Sequence, residues 1–86
     1  MGHKKKMFQE FIRVQIHDYR SGRAYTQEQM AELLHVAPRS YFDQEHGKYG
    51  FSAVTVIFYF LMLSREEALS LLEELDELLN EGIEDE

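Results

Sequence analysis

The sequence predicts an all-α protein, a compact five-helix bundle, and three observations lead to this fold class. Apolar residues recur at steps of three and four along most of the chain, which is the spacing of one helix face. Two helix-start signals, Thr26 with Gln29 and Ser64 with Glu67, have the three-residue separation of a capping box. The 86 residues contain no cysteine, so a single domain of this size must be held together by packing rather than by disulfides.

The first predicted helix covers Met7–Ser21 and ends at Gly22. Its apolar side is formed by Phe8, Phe11, Ile12, Ile16 and Tyr19. Residues 1–6, MGHKKK, are expected to be a disordered basic tail, partly a remnant of cloning. No apolar run of signal-peptide length follows the lysines, so we expect a cytoplasmic protein.

Two short helices are predicted next, with only a few residues between them. The apolar face of the first is formed by Met30, Ala31 and Leu34. Thr26 is the N-cap of the first, Pro38 suits the first position of the second, and Gly47 can adopt the left-handed conformation that ends it. This arrangement is typical of a helix-turn-helix, whose second helix, here Pro38–Glu45, can lie in the major groove of DNA.

The segment Ala53–Leu63 is rich in β-branched and aromatic residues, and periodicity alone leaves both a buried strand and a buried helix open. A helix is favoured because no other segment resembles a strand with which it could pair. The last helix, residues 64–80, has a leucine-rich stripe, followed by an acidic tail at 81–86. Either Ala53–Leu63 or a second chain can cover this stripe. The residues of the tentative homodimer interface are Phe58, Leu61, Leu72, Leu75 and Leu79.

Charge is divided unevenly along the chain. Residues 1–50 contain eight Lys/Arg and six Asp/Glu, whereas residues 51–86 contain one arginine and ten Asp/Glu. The formal net charge of −7 is therefore concentrated in the last two helices. An acidic total of this kind does not exclude phosphate binding by the first half of the chain.

The stretch from about Phe8 to Ser64 resembles the Cro and phage-repressor family of helix-turn-helix regulators, also called the XRE type. The residues that carry the resemblance are Thr26-Gln27-Glu28-Gln29-Met30-Ala31-Glu32-Leu33-Leu34, then Val36, then Glu45-x-Gly47-Lys48. The resemblance implies a five-helix bundle. It also implies a sequence-specific, repressor-like regulator of transcription from a prokaryote or phage, which binds double-stranded DNA as a homodimer.

The same resemblance assigns roles to individual residues. Gln27 would contact the DNA backbone and brace the recognition helix, and Lys48 would meet a phosphate, with Ser40 and Tyr49 nearby. Pro38, Arg39 and Asp43 would occupy the positions that face base edges. Arg39 suits a bidentate contact with guanine, and Asp43 can accept from the amino group of cytosine. An exposed Arg39 can instead pair with Asp43, four residues further along the helix.

Two residues of the second short helix depart from the family pattern. Gln44 stands where an aliphatic residue is usually buried, and Phe42 stands where an exposed polar residue is usual. A shift of the helix register by one residue would exchange their faces. The alternative function is an interaction module that has lost DNA binding and binds another protein through its apolar and acidic surfaces.

The sequence contains no pattern that predicts an enzyme. The four histidines have no Ser, Asp or Glu partner at a catalytic or metal-ligand spacing, and His17 is expected to pack or to lie at the surface. The glutamates lack the Asp-x-Asp-x-Asp-Gly loop of a calcium site. Neither a metal nor a cofactor is expected.

Overall fold

Five α-helices joined by short connections make up the described part of the chain. The computed structural model describes the backbone of residues 2–85 and the side chains of residues 3–81. No β-strand occurs in this range, so the predicted all-α class is confirmed, and the ambiguous fourth segment is helical. The helices are α1 (Gly2–Gly22), α2 (Gln27–Leu33), α3 (Pro38–Glu45), α4 (Ala53–Met62) and α5 (Arg65–Asp85).

The predicted helix starts are confirmed in atomic detail. Thr26 Oγ1 accepts from the backbone N–H of Gln29 at 3.0 Å, and the Gln29 side chain accepts from the N–H of Thr26 at 2.8 Å. Ser64 and Glu67 form the same reciprocal pair at the start of α5. Helix α4 begins after Ser52, whose hydroxyl accepts from the N–H of Thr55. Each cap satisfies backbone donors that a helix start otherwise leaves unpaired.

The first three helices end in the same way, with one residue in a left-handed conformation. These residues are Ala24 (φ 57°), His35 (φ 61°) and Gly47 (φ 84°). After α3, Lys48 N donates to Asp43 O and Gly47 N donates to Gln44 O, which is the Schellman pattern. Equivalent pairs follow α1 and α2. Helix α1 ends at Gly22, as predicted, and Ala24, two residues further on, is the left-handed residue that reverses the chain.

Both outer helices are longer than predicted. Helix α1 begins at Gly2, so residues 3–6 are helical rather than a disordered tail, and α5 continues through 81–85. Lysine is a good helix former, and extending an existing helix is far easier than starting one. A single glycine such as Gly82 costs only about 1 kcal/mol inside a helix, too little to end it. Met1 and Glu86, the outermost residues of the two predicted tails, lie outside the described range.

The core is assembled around α1, which packs against α3 and α5. The three residues on the predicted apolar face of α2, Met30, Ala31 and Leu34, are fully buried. Tyr19 and Tyr59 meet edge to face, with ring centroids 5.5 Å apart. The buried apolar residues are Ile16, Met30, Ala31, Leu34, Tyr41, Tyr59 and Leu71. None of the helices within residues 2–85 has the combined length and apolar character that crossing a membrane requires.

Candidate nucleic-acid interface

The inward face of α3 is formed by two residues four positions apart. Tyr41 is completely buried, and Glu45 is only 5% exposed. One helical turn separates them, so they point in nearly the same direction. Burial of a carboxylate is costly unless it is paired and hydrogen-bonded, and Glu45 has such partners.

Four donors from three helices converge on the carboxylate of Glu45. Arg20 of α1 donates through Nε at 2.7 Å and through Nη2 at 3.1 Å. Gln27, the first residue of α2, donates through Nε2 at 2.7 Å. The hydroxyl of Tyr41 donates to the second carboxylate oxygen at 2.5 Å. The C-terminal half of α3 is thereby attached to both α1 and α2. Arg13 of α1 adds a bond to the Glu45 carbonyl at 3.1 Å.

These contacts determine the charge state of the cluster. Burial by itself would raise the pKa of Glu45, but the hydrogen bonds from Arg20, Tyr41 and Gln27 lower that pKa to about 2. Burial raises the pKa of Tyr41, and its bond to the Glu45 carboxylate raises that pKa further. At neutral pH, Glu45 is therefore ionised and Tyr41 is a neutral donor.

The opposite face of α3 is exposed to solvent. The side chain of Arg39 is 81% exposed, and its Nε lies 3.5 Å from a carboxylate oxygen of Asp43. Phe42 is 43% exposed and stacks on His46, with ring centroids 4.1 Å apart. Nδ1 of His46 lies 2.8 Å from the Phe42 carbonyl, which can only accept, so Nδ1 is the donor. This face thus presents a guanidinium and an aromatic pair, whereas the side chain of Asp43 beside them is only 15% exposed.

The rotation of α3 about its axis is the one expected without a one-residue shift of the helix register. Phe42 lies on the exposed face, whereas Gln44 is half-buried. The amide oxygen of Gln44 is inaccessible to solvent and has no hydrogen-bond partner. A shift that would bury Phe42 and expose Gln44 does not occur, because burial of Tyr41 and Glu45 fixes the rotation of the helix.

A cleft of about 420 Å³ lies beside the C-terminal end of α3, between the first half of α1 and the loop that leads to α4. Three cationic side chains line it, Lys6, Arg13 and Lys48. Arg13 is already paired with the exposed carboxylate of Glu10. Lys48 lies with its ammonium 5.5 Å from the ring centre of Tyr49, which is itself 58% exposed. Glu10 lines the cleft as well, so Lys6 and Lys48 carry the excess positive charge of this cleft at the C-terminal end of α3.

The seven residues predicted from the sequence to bind DNA lie on α3, on the loop after it, or at the start of α2. Pro38 and Ser40 are exposed in the first turn of α3. Gln27 donates a hydrogen bond to the carboxylate of Glu45, so it stabilises the position of α3 from inside the protein. Arg39 lies on the exposed face of α3, Asp43 is half-buried beside it, and Lys48 and Tyr49 line the cleft.

Six residues of this surface and of its support were not among the site residues predicted from the sequence. Phe42 was visible only as a departure from the family pattern, and His46 becomes its partner through helical spacing. Lys6 and Arg13 are far from Lys48 in the sequence, and only the packing of α1 brings them into the same cleft. The pairing of Arg20 with Glu45 across twenty-five positions has no local signal.

The five residues of the tentative dimer interface separate into two groups. Phe58 and Leu75 are partly buried against the core of their own chain. Leu61, Leu72 and Leu79 are exposed. Among the described residues, no group of three or more His, Cys, Asp or Glu side chains is arranged to hold a metal ion.

Comparison with known proteins identifies no relative. No family model matches the chain, and no curated protein or solved structure shows significant similarity to it.

Proposed function

We propose that the protein is a sequence-specific DNA-binding regulator in which α2 and α3 act as a helix-turn-helix. Helix α3 would lie in the major groove, which is about 12 Å wide and admits an α-helix. The observation that carries the proposal is the anchoring of α3 through Glu45. This contact holds α3 so that Arg39 and Phe42 are exposed, and the cleft with Lys6 and Lys48 lies beside the end of the helix.

The exposed groups Arg39 and Phe42, and the half-buried Asp43 beside them, have side chains that suit base edges. Arg39 can donate two bonds to O6 and N7 of guanine, and Asp43 can accept from the amino group of cytosine. The ring of Phe42 suits the methyl group of thymine. The pair between Arg39 and Asp43 is no obstacle, because its arginine is 81% exposed. An ion pair at the surface contributes only about 0–1 kcal/mol and can be exchanged for a stronger contact.

Phosphate contacts would come from the cleft. Lys6 and Lys48 line it, and the backbone of DNA on either side of a groove is within the reach of such side chains. The acidic residues do not oppose this arrangement, because ten of the sixteen belong to residues 51–86. A cytoplasmic location, expected from the sequence, accompanies the proposal.

The test is a selection from random double-stranded oligonucleotides at low salt. We expect an enriched motif that contains guanine, and we expect Arg39→Ala to relax the preference at one base pair by about 1–3 kcal/mol. Arg65→Ala is the matched control, because Arg65 is also exposed but lies at the start of the acidic helix α5.

Absence of any enriched motif for the folded protein would overturn the proposal. Equal weakening of every sequence by Arg39→Ala would remove the base-reading role of that residue. The second candidate function, a protein-interaction module, is favoured by a separate observation: large aliphatic side chains on α4 and α5 remain exposed.

A further inference from the structure

Helix α5 has two apolar faces, and the core covers only one of them. Leu71 is buried and Leu75 packs against the core. Leu69, Leu72 and Leu79 are 55%, 51% and 38% exposed. Steps of three and seven residues place these three leucines along one side of the helix. We refer to Leu69, Leu72 and Leu79 as the leucine strip.

Acidic residues flank the leucine strip on the side away from the core. At 100° per residue, Asp76 falls between the directions of Leu69 and Leu72, and Glu73 falls beside them. Arg65, in the first turn, is the sole basic residue of α5. The acidic side chains of α5 within residues 65–81 are Glu66, Glu67, Glu73, Glu74, Asp76, Glu77 and Glu81.

We propose that the leucine strip binds an amphipathic, lysine- or arginine-rich helix of another protein. Such a helix would lay its apolar residues on the three leucines and place its cations against Asp76 and Glu73. Charge complementarity accelerates encounter and selects among partners of similar shape. The proposal concerns a surface that the DNA-binding face of α3 does not use.

The acidic charge of α5 also favours a basic helix over three other molecules that could cover this surface: a second copy of α5, DNA and anionic lipid. Two copies of α5 placed strip to strip would bring acidic rims together, and opposed like charges cost several kcal/mol. DNA and anionic lipid are repelled for the same reason. The strip is small compared with the roughly 800 Å² that each partner of a stable complex buries, so the complex should be transient.

The test uses three synthetic peptides of equal length and a dye label, with binding followed by fluorescence anisotropy at low and high salt. The first has leucines at helical spacing flanked by lysines, the second has glutamates in place of the lysines, and the third has the first composition in scrambled order. We expect the first to bind reversibly and less well at high salt, the scrambled peptide to bind at least tenfold more weakly, and the acidic peptide not to bind.

Variants of the full chain locate the site. Leu72→Ser should weaken binding of the first peptide at least tenfold, whereas Val14→Ser, at an exposed apolar position on α1, should not change it. Asp76→Asn should weaken binding several-fold and reduce its salt dependence. Because these side chains are exposed or polar, circular dichroism should show an unchanged helical fold.

Several outcomes would overturn the proposal. They are equal affinity for the scrambled peptide, insensitivity to Leu72→Ser, or preference for the acidic peptide. Concentration-dependent self-association that Leu72→Ser abolishes would show instead that a second copy of this chain occupies the strip. A DNA titration of the same variants separates this proposal from the function of α3, since Leu72→Ser should leave DNA affinity unchanged.

Discussion

At the scale of single residues, the carboxylate of Glu45 has the most consequence for the structure. It is buried, yet it accepts bonds from Arg20, Gln27 and Tyr41, which belong to three different helices. A buried pair of this kind need not add much net stability compared with apolar packing. Its loss is costly, however, because the remaining partner is left buried without a counter-charge.

Glu45→Gln should therefore lower the free energy of unfolding by roughly 3 kcal/mol. The amide keeps the shape of the side chain but removes the charge that faces Arg20. Urea denaturation followed by circular dichroism measures the change. Glu10→Gln is the matched control, because Glu10 pairs with Arg13 at the surface and its loss should have little effect. Similar stabilities for the two variants would contradict the structural role of Glu45.

The contribution of Glu45 should also depend on pH. Its pKa in the folded protein is about 2, below its ordinary value of 4.5, so the unfolded chain binds the proton more readily. The stabilisation is present above pH 4.5 and is lost as the pH falls toward 2. The difference in urea midpoint between the natural protein and Glu45→Gln should consequently shrink over that range. A difference that stays constant would indicate that the carboxylate is not responsible.

At the scale of helices and turns, the main feature is the shared form of the first three helix ends. All three use a left-handed residue, but only one of these residues is glycine. For a residue with a side chain this conformation costs about 1–2 kcal/mol, because the Cβ approaches the following carbonyl oxygen. Ala24 is exposed, whereas the ring of His35 stacks on that of Phe58, with ring centroids 4.3 Å apart.

Ala24→Gly should accordingly raise the free energy of unfolding by about 0.5–1 kcal/mol. This figure includes the opposing effect that glycine has greater conformational freedom in the unfolded chain. Gly47→Ala, which introduces the same strain at φ 84°, should have the opposite sign. A Cβ at Gly47 would come no closer than 3.7 Å to Arg13, so strain rather than a clash is the cause. Thermal unfolding of both variants measures the two effects, and equal signs would exclude this explanation.

At the scale of the whole molecule, the two halves differ in charge. The first fifty residues contain most of the cations, and the last thirty-six contain most of the acids. The exposed face of α3, proposed above to bind DNA, belongs to the first fifty residues. The leucine strip belongs to the last thirty-six. This separation allows a protein with a net charge of −7 to bind an anion through one surface and a basic helix through another.

Salt dependence should reveal this division. Lys48→Ala should weaken binding to every DNA sequence alike and reduce the slope of log affinity against log salt by about 1, as the loss of one phosphate contact requires. Arg65→Ala, which removes an equal charge from the acidic half, should leave the slope unchanged. Anisotropy titrations at several salt concentrations provide the slopes. A slope that both variants reduce equally would indicate a nonspecific effect of net charge.

Much of the fold was predictable because its signals are local. Thr26 and Ser64 mark helix starts through bonds to residues three positions away, and these bonds are present in the structure. The apolar spacing of Met30, Ala31 and Leu34 identified a buried face correctly. The end of α1 at Gly22 was also predicted correctly. The left-handed residue of that turn, Ala24, was not predicted, because hydrogen bonds within the turn stabilise a residue that has no local signal for this conformation.

The sequence by itself determined the all-α class, the starts of four helices and the division of charge, since each depends on residues close together in the chain. Only the tertiary structure decided the rotation of α3, because Arg20, Gln27 and Glu45 meet across loops that no local pattern describes. It also decided which leucines remain available. Leu75 is used by the core, while Leu72 is left on the surface, since the packing of α5 covers one of its two apolar faces.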